Sequence, residues 1–157
     1  MAMSPFIMPH EVWKFGTYER TSRGAPLVLF AESINTGATT FISTFYKQGT
    51  TAGYVVTTGT TLIITRITGY ATITLTPMNF RYSDNDIGRD AAGPGTNPVY
   101  LDSDGDGAAG TLTMLTASNV YDFNVHFAIP AGKYFSVENL LVTSTAALRL
   151  TAYGFEE

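Results

Sequence analysis

The residues with the clearest metal-binding chemistry are three alternating aspartates, Asp102, Asp104 and Asp106, followed by Gly107. Carboxylates at this spacing begin an EF-hand calcium loop, because hard cations bind several oxygen ligands and the glycine allows the sharp turn. The twelfth position of that loop is Thr113 instead of a bidentate glutamate. Two interpretations therefore stay open, a calcium site and a solvated turn of Asp and Gly.

Other residues that could bind metal or transfer protons are few. Asp84, Asp86 and Asp90 could supply further oxygen ligands from the same region. His10 and His126 are the only histidines, and His126 falls on the polar side of a strand pattern, where a solvated ring is expected. The sequence contains no nucleophile elbow, HExxH motif, phosphate-binding glycine loop or Cys/His cluster. We therefore predict that the protein is not an enzyme and has no cofactor unless the aspartates bind calcium.

Composition excludes several classes of partner. The chain has 157 residues, a net charge of −4 and no cysteine, which fits one domain without disulfides or thiolate metal sites and suits cytosolic assembly. Lys14, Arg20 and Arg23 are too few to form the basic stripe of a nucleic-acid-binding protein. The sequence shows neither a secretory signal nor an apolar stretch of about 18 residues. We therefore expect neither nucleic acid nor membrane as a partner.

The elements that must position these residues are strands, and part of their pattern is repeated. Residues 54–67, YVVTTGTTLIITRI, align without gaps with residues 127–140, FAIPAGKYFSVENL, and each stretch has a polar turn, containing Gly59 or Gly132. The similarity continues, after a two-residue shift, into the next strand of each stretch. Because two copies are too few for a solenoid or a propeller, the repeat predicts two similar β-units packed as a sandwich.

Hydrophobic alternation places the individual strands. It predicts strands at residues 27–32, 40–46, 54–56, 62–67, 71–76, 99–101, 111–115, 120–129, 135–142 and 147–155. Within 40–46, Phe41 and Phe45 share one face of a single strand, and Pro77 ends the first copy of the repeat. Within 120–129, one face carries Tyr121, Phe123, Val125, Phe127 and Ile129, and the other carries Asp122, Asn124 and His126. With no helical pattern, residues 25–157 are predicted to be all-β, an antiparallel β-sandwich of jelly-roll type.

Two segments lie outside this regular pattern. Residues 1–24 have no sustained period, which is typical of a disordered leader or of an extended N-terminal arm. We predict an arm whose large apolar residues bind a partner. These anchors are Phe6, Ile7, Trp13 and Phe15. Residues 83–111 form a long Asp- and Gly-rich loop, and loops of this length are usually functional or held by a partner.

Four strings of this sequence resemble a group of small structural proteins of tailed bacteriophages. They are HFAIPAGKYFSVENL, the C-terminal LTAYGFEE, the earlier YVVTTGTTLIITRI and the loop string TNPVYL. Proteins of that group have a "(V/I)PAGK" turn between strands and end in "GYE" or "GFE". The resemblance covers residues 54–157, and the first copy departs from it with Thr57, Thr58 and Thr60 in place of Pro, Ala and Lys.

The resemblance implies a jelly-roll capsid decoration (cement) protein or a related virion appendage. Such a protein is expected to be a homotrimer, to bind the major capsid protein at the capsid surface of the virion, and to assemble in the host cytoplasm. An alternative function is a tail-fibre or receptor-binding module that uses the 83–111 loop to bind carbohydrate. Tyr18, Tyr46 and Tyr100 could stack on sugar rings, although each could equally be a cross-strand contact.

Overall fold

A computed structural model describes residues 26–35, 41–73, 76–89, 91, 93, 95–101, 111–114, 116, 118–140 and 146–157. These residues form ten strands. They are β1 (Pro26–Asn35), β2 (Phe41–Thr44), β3 (Tyr46–Lys47), β4 (Thr61–Ala71), β5 (Thr76–Ser83), β6 (Val99–Leu101), β7 (Thr111–Met114), β8 (Tyr121–Pro130), β9 (Tyr134–Asn139) and β10 (Ala146–Glu156). No helix in the described ranges is long and apolar enough to span a membrane.

The strands form two antiparallel sheets that pack as a sandwich. The first sheet has the order β3-β1-β10-β4-β8, and the second has the order β2-β9-β5-β6, with β7 also paired to β5. Early strands pair with late ones in a nested manner: β1 with β10, β2 with β9, β4 with β8, and β5 with β6. The predicted all-β antiparallel sandwich is therefore confirmed.

The core between the sheets is centred on aromatic rings. Phe45 stacks on Phe135 with ring centroids 4.4 Å apart, and Phe80 lies 5.5 Å from Phe127. These four side chains are at most 2% exposed. Burying an apolar side chain of this kind contributes about 1.5–3 kcal/mol, so this cluster is a main source of the sandwich's stability.

Strand β8 follows its predicted alternation. Val125, Phe127 and Ile129 are buried, whereas Asp122, Asn124, His126 and Ala128 are exposed. Tyr121 and Phe123 are half-buried and pack against the core. Because side chains alternate across a strand, the polar residues of β8 all lie on the outer face of the first sheet.

The prediction of one strand over residues 40–46 is wrong. The chain leaves the second sheet after Thr44, and β3 pairs with β1 in the first sheet. Phe45, between the two, is fully buried; its N–H donates to the carbonyl of Phe135 (2.8 Å) and its carbonyl accepts from Tyr54 N (2.7 Å). Hydrogen bonds outside both ladders thus satisfy the backbone at the point where the chain changes sheet.

The predicted strands at 62–67 and 71–76 are also wrong in their bounds. Strand β4 runs without a break to Ala71, and Gly69 lies within it, paired to Leu150 and Tyr121. Glycine is required there because a Cβ would lie 2.2 Å from the carbonyl oxygen of Arg149. Pro77 does not end the unit but lies inside β5, where its carbonyl accepts from Leu140 N at 3.0 Å.

The two turns of the repeat pack against each other. Gly59 and Gly132 both have positive φ, 85° and 74°, as the aligned turns require. Val56 N donates to the carbonyl of Lys133 (3.0 Å), and Gly132 N donates to the carbonyl of Val56 (2.9 Å). The strands that follow the turns, β4 and β9, lie in opposite sheets, so the repeat joins the two halves of the sandwich at one end.

Candidate functional site

The described part of the chain has no group of three or more His, Asp or Glu residues that could hold a metal ion. His126, an expected solvated ring, is exposed on β8. The predicted calcium ligands and the arm anchors lie outside the described residues. They are Asp102, Asp104 and Asp106, and Phe6, Ile7, Trp13 and Phe15. The structure therefore tests neither the predicted calcium site nor the predicted contacts of the arm.

Two further candidate ligands, Asp84 and Asp86, bind donors of the chain itself. Asp84 contacts Nζ of Lys133 and accepts from Nδ2 of Asn97 at 2.7 Å, and these two donors hold its pKa below the usual range. Asp86 accepts from the backbone N–H of Gly53 (2.6 Å) and Gly88 (2.8 Å). These bonds fasten the beginning of the 83–111 loop to the sandwich. Asp90 lies outside the described residues.

The outer face of the second sheet is covered by the chain itself. Thr44, Ser136 and Arg81 lie side by side on β2, β9 and β5, on the face opposite the core. All three are at most 2% exposed. Ile87, in the loop after β5, donates its N–H to Oγ1 of Thr44 at 3.2 Å, and Gly88 pairs with the same strand. This face is not open to a partner.

The outer face of the first sheet is open, and we call it the open face. The strand register arranges its side chains in three transverse rows. The rows are Val28, Tyr153, Arg66 and Asn124; Phe30, Thr151, Thr68 and Asp122; and Glu32, Arg149 and Tyr70. Every member is exposed or half-buried. Tyrosine and arginine are the residue types enriched in binding surfaces, because they combine a large contact area with hydrogen-bonding groups.

One side of the open face carries a bidentate ion pair. Arg66 donates from Nε and Nη2 to the two oxygens of Asp122, at 2.8 and 2.6 Å, and its guanidinium lies 5.4 Å from the ring of Tyr153. The hydrogen bonds from Arg66 lower the pKa of Asp122. Since both groups are about half exposed, solvent screens the pair and it contributes little to stability.

The other side carries a second arginine in a different setting. Arg149 donates from Nε to Oε1 of Glu32 at 2.7 Å and from Nη1 to the hydroxyl of Tyr70 at 3.0 Å. The hydrogen bond to Glu32, followed by the one to Tyr70, raises the pKa of Arg149. The side chain of Arg149 is 57% exposed, whereas that of Glu32 is 28% exposed. Arg149 is thus fixed in direction and still accessible.

A groove of about 280 Å³ lies over this second arginine. Its sides include Phe30, Tyr46, Tyr70, Glu32 and Arg149. Phe30 and Tyr46 are cross-strand neighbours with ring centroids 6.4 Å apart, and the guanidinium of Arg89, from the loop after β5, lies 4.0 Å from the Tyr46 ring. The groove therefore combines aromatic walls with a fixed carboxylate and guanidinium.

Sequence patterns identified only part of this groove. Tyr46 stood out as an exposed aromatic residue, but Glu32 and Arg149 are 117 positions apart and no local motif links them. The other two tyrosines considered as sugar contacts are not part of it: Tyr100 lies on β6 with the guanidinium of the buried Arg81 5.8 Å from its ring, and Tyr18 lies outside the described residues. The sequence signal that could have identified the rest of the groove was the presence of polar residues at outward positions of β1, β4 and β10.

Comparison of the chain with protein-family models, with curated proteins and with solved structures found no match.

Proposed function

We propose that this chain is a phage virion structural protein, a homotrimeric capsid decoration (cement) protein that binds the major capsid protein and stabilises the shell. The observation that carries the proposal is the nested strand pairing. The sequence resemblance over residues 54–157 supports the same role. In this proposal the sandwich is a jelly roll and the N-terminal arm is its means of attachment.

The strand order supports a jelly roll in particular. A jelly roll wraps a long antiparallel double ribbon into two sheets, so its first strand pairs with its last and the pairing continues inward. Here β1 pairs with β10, β2 with β9, β4 with β8 and β5 with β6, and successive pairs alternate between the two sheets. Jelly rolls are a common architecture of viral capsid and lectin domains.

The described residues suit a rigid adhesive body. The aromatic core is closely packed, and the end of β10 is hydrogen-bonded to the first turn of the repeat. Such a body could hold an arm in place while Phe6, Ile7, Trp13 and Phe15 bind capsid subunits or adjacent protomers. Individually modest contacts, repeated by symmetry, would then act together through effective concentration.

The alternative, a recognition module that uses the 83–111 loop, has less support from the described residues. Asp84 and Asp86 fasten the first part of this loop to the sandwich, and Gly88 and Ala91 pair with β2. Residues 102–110 lie outside the described ranges and leave the rest of the alternative untested.

Two measurements test the proposal. The mass in solution, determined by light scattering after size-exclusion chromatography, is expected to be three times the 16.9 kDa of the chain. Quantitative mass spectrometry of purified particles is expected to place the chain among their most abundant proteins, because a cement protein occupies sites across the whole shell. A monomeric chain, or one found in only a few copies per particle as a fibre tip would be, contradicts the proposal.

A further inference from the structure

The groove on the open face has the features of a ligand site as well as those of a packed surface. Its aromatic side chains come from three different strands, with Phe30 on β1, Tyr46 on β3 and Tyr70 on β4. They lie beside one carboxylate and one guanidinium whose directions are fixed by their mutual hydrogen bond. Binding sites commonly join apolar walls to a few fixed polar groups in this way.

The polar groups of the groove offer both donors and acceptors. The hydrogen bond from Arg149 Nε occupies Oε1 of Glu32, and Nη1 of Arg149 is bonded to the Tyr70 hydroxyl. Oε2 of Glu32 and Nη2 of Arg149 have no further bond within the described part of the chain. A carboxylate accepts and a guanidinium donates, so two adjacent hydroxyls of one ligand can be recognised together.

From this arrangement we infer that the groove binds a neutral saccharide. One ring hydroxyl donates to Glu32, its neighbour accepts from Arg149, and the apolar C–H face of the pyranose packs against Phe30 and Tyr70, because the Arg89 guanidinium lies over the Tyr46 ring. The packing of Arg89 over Tyr46 and the bonds between Arg149, Glu32 and Tyr70 preorganise the groove, which lowers the entropy cost of binding. This inference goes beyond the proposed virion role and does not depend on it.

Charge and size disfavour other ligands. A phosphate or an acidic sugar would have to share the guanidinium of Arg149 with the carboxylate of Glu32, and the second guanidinium at the groove, that of Arg89, already packs on the Tyr46 ring. A divalent cation would find one carboxylate already paired with arginine, although such ions require several oxygen ligands. A volume of about 280 Å³ is at the lower limit for a small-molecule site, which fits a single sugar ring of a longer chain.

The test is a titration of the full-length, ¹⁵N-labelled protein with maltohexaose, cellohexaose or mannohexaose, followed by amide chemical shifts. Saturable shifts are expected for at least one of these neutral oligosaccharides, confined to amides of β1, β3, β4 and β10 around the groove. We expect a dissociation constant on the order of 1 mM, since a single shallow groove provides few contacts.

Matched variants on the same face separate the groove from a general surface effect. Arg149→Met is expected to weaken binding about tenfold or more, because a hydrogen bond to a charged group is lost. Tyr70→Leu is expected to weaken it by a similar factor. The controls are Arg66→Met and Tyr153→Leu, which remove the same residue types outside the groove and are expected to leave the dissociation constant unchanged.

Three results would overturn the inference. They are the absence of saturable shifts with all three oligosaccharides at concentrations of about 10 mM, well above the expected dissociation constant; equal losses of affinity in the Arg149→Met and Arg66→Met variants; and tighter binding of oligogalacturonate than of the neutral oligosaccharides. A melting temperature measured for each variant shows whether it is folded. Measurements of the solution mass and of the copy number in particles remain a separate test of the virion role.

Discussion

The hydroxyl of Tyr54 donates a 2.6 Å hydrogen bond to Oε1 of Glu156, a residue 102 positions later in the chain. The same oxygen accepts the backbone N–H of Thr57 at 2.9 Å. Next to it, Thr61 and Glu157 exchange two backbone hydrogen bonds, of 2.8 and 3.0 Å. Glu156 belongs to the terminal GFE string, so this string has a structural role: it fastens the end of β10 to the first turn of the repeat.

Removing either partner of this bond is expected to destabilise the fold. Tyr54→Phe and Glu156→Gln each weaken the same contact and are expected to lower the free energy of unfolding by about 1–2 kcal/mol. Because they share one interaction, the double variant should lose less than the sum of the two, with a coupling energy of about 0.5 kcal/mol or more. Urea denaturation of the four proteins measures this cycle. Fully additive losses would show that the bond does not contribute to stability.

The same contact predicts a response to alkaline pH. Burial, together with the hydrogen bond to Glu156, raises the pKa of Tyr54 to about 12, whereas an unfolded tyrosine titrates near 10. A group whose pKa is raised by folding stabilises the native state fully below its unfolded pKa, and this stability is lost as the pH rises from about 10 to about 12. Tyr54→Phe should therefore flatten the decline in stability over this range. Urea denaturation of the parent protein and the variant between about pH 9 and about pH 12 measures this difference.

The sequence predicted a strand correctly where one face of that strand is buried and the other is exposed to solvent. The alternation from Tyr121 to Ile129 identified β8 correctly, because apolar and polar side chains alternate between the core and the solvent along this strand. It failed at Phe45, because a residue that links the two sheets is as apolar as one inside a strand. It also failed at Gly69, whose lack of a side chain marks close approach of β10 in this case and a turn in many others.

The residues of the groove could not be predicted from local sequence patterns either, because they are far apart in the chain. Glu32, Tyr70 and Arg149 are brought together by the register of β1, β10 and β4, with each pair of neighbours on adjacent strands. Register depends on the whole sheet, and no local spacing encodes it. The two-sheet sandwich could be anticipated from the repeat, whereas the residues that meet on the open face could not.

Gly154 is a second glycine at a close contact between β10 and β4, and its substitution gives a testable prediction. A Cβ at Gly154 would lie 2.1 Å from the carbonyl oxygen of Ile63, at the point where the register between β10 and β4 shifts. Because backbone atoms on two paired strands would have to move, Gly154→Ala is expected to cost more than about 3 kcal/mol of stability. The matched control is Gly93→Ala, since no atom lies within 4 Å of a Cβ there. Melting temperatures that fall equally in both variants would refute this explanation.

Calcium is not expected to stabilise the protein. The loop of Asp102, Asp104 and Asp106 has Thr113 where a calcium loop has glutamate, and Asp84 and Asp86 bind other donors. The melting temperature should therefore be the same in EDTA and in about 1 mM calcium, and replacing the three aspartates with asparagine should not change that result. If the melting temperature instead rises with the logarithm of calcium concentration and the asparagine variant abolishes the rise, the loop is a calcium site.

Deleting residues 1–15 is expected to abolish binding to capsids without affecting the folding of the sandwich. The described strands begin at Pro26, and the aromatic cluster of the core is built from Phe45, Phe80, Phe127 and Phe135, so the truncated chain is expected to keep the melting temperature of the full-length protein. It should no longer co-sediment with capsids, because the apolar anchors Phe6, Ile7, Trp13 and Phe15 are gone. A full-length variant with these four residues replaced by serine provides the matched control, since it keeps the length of the arm and removes only its apolar contacts. If the truncated chain still decorates capsids fully, attachment must depend on the sandwich, and the open face of the first sheet becomes the surface to mutate.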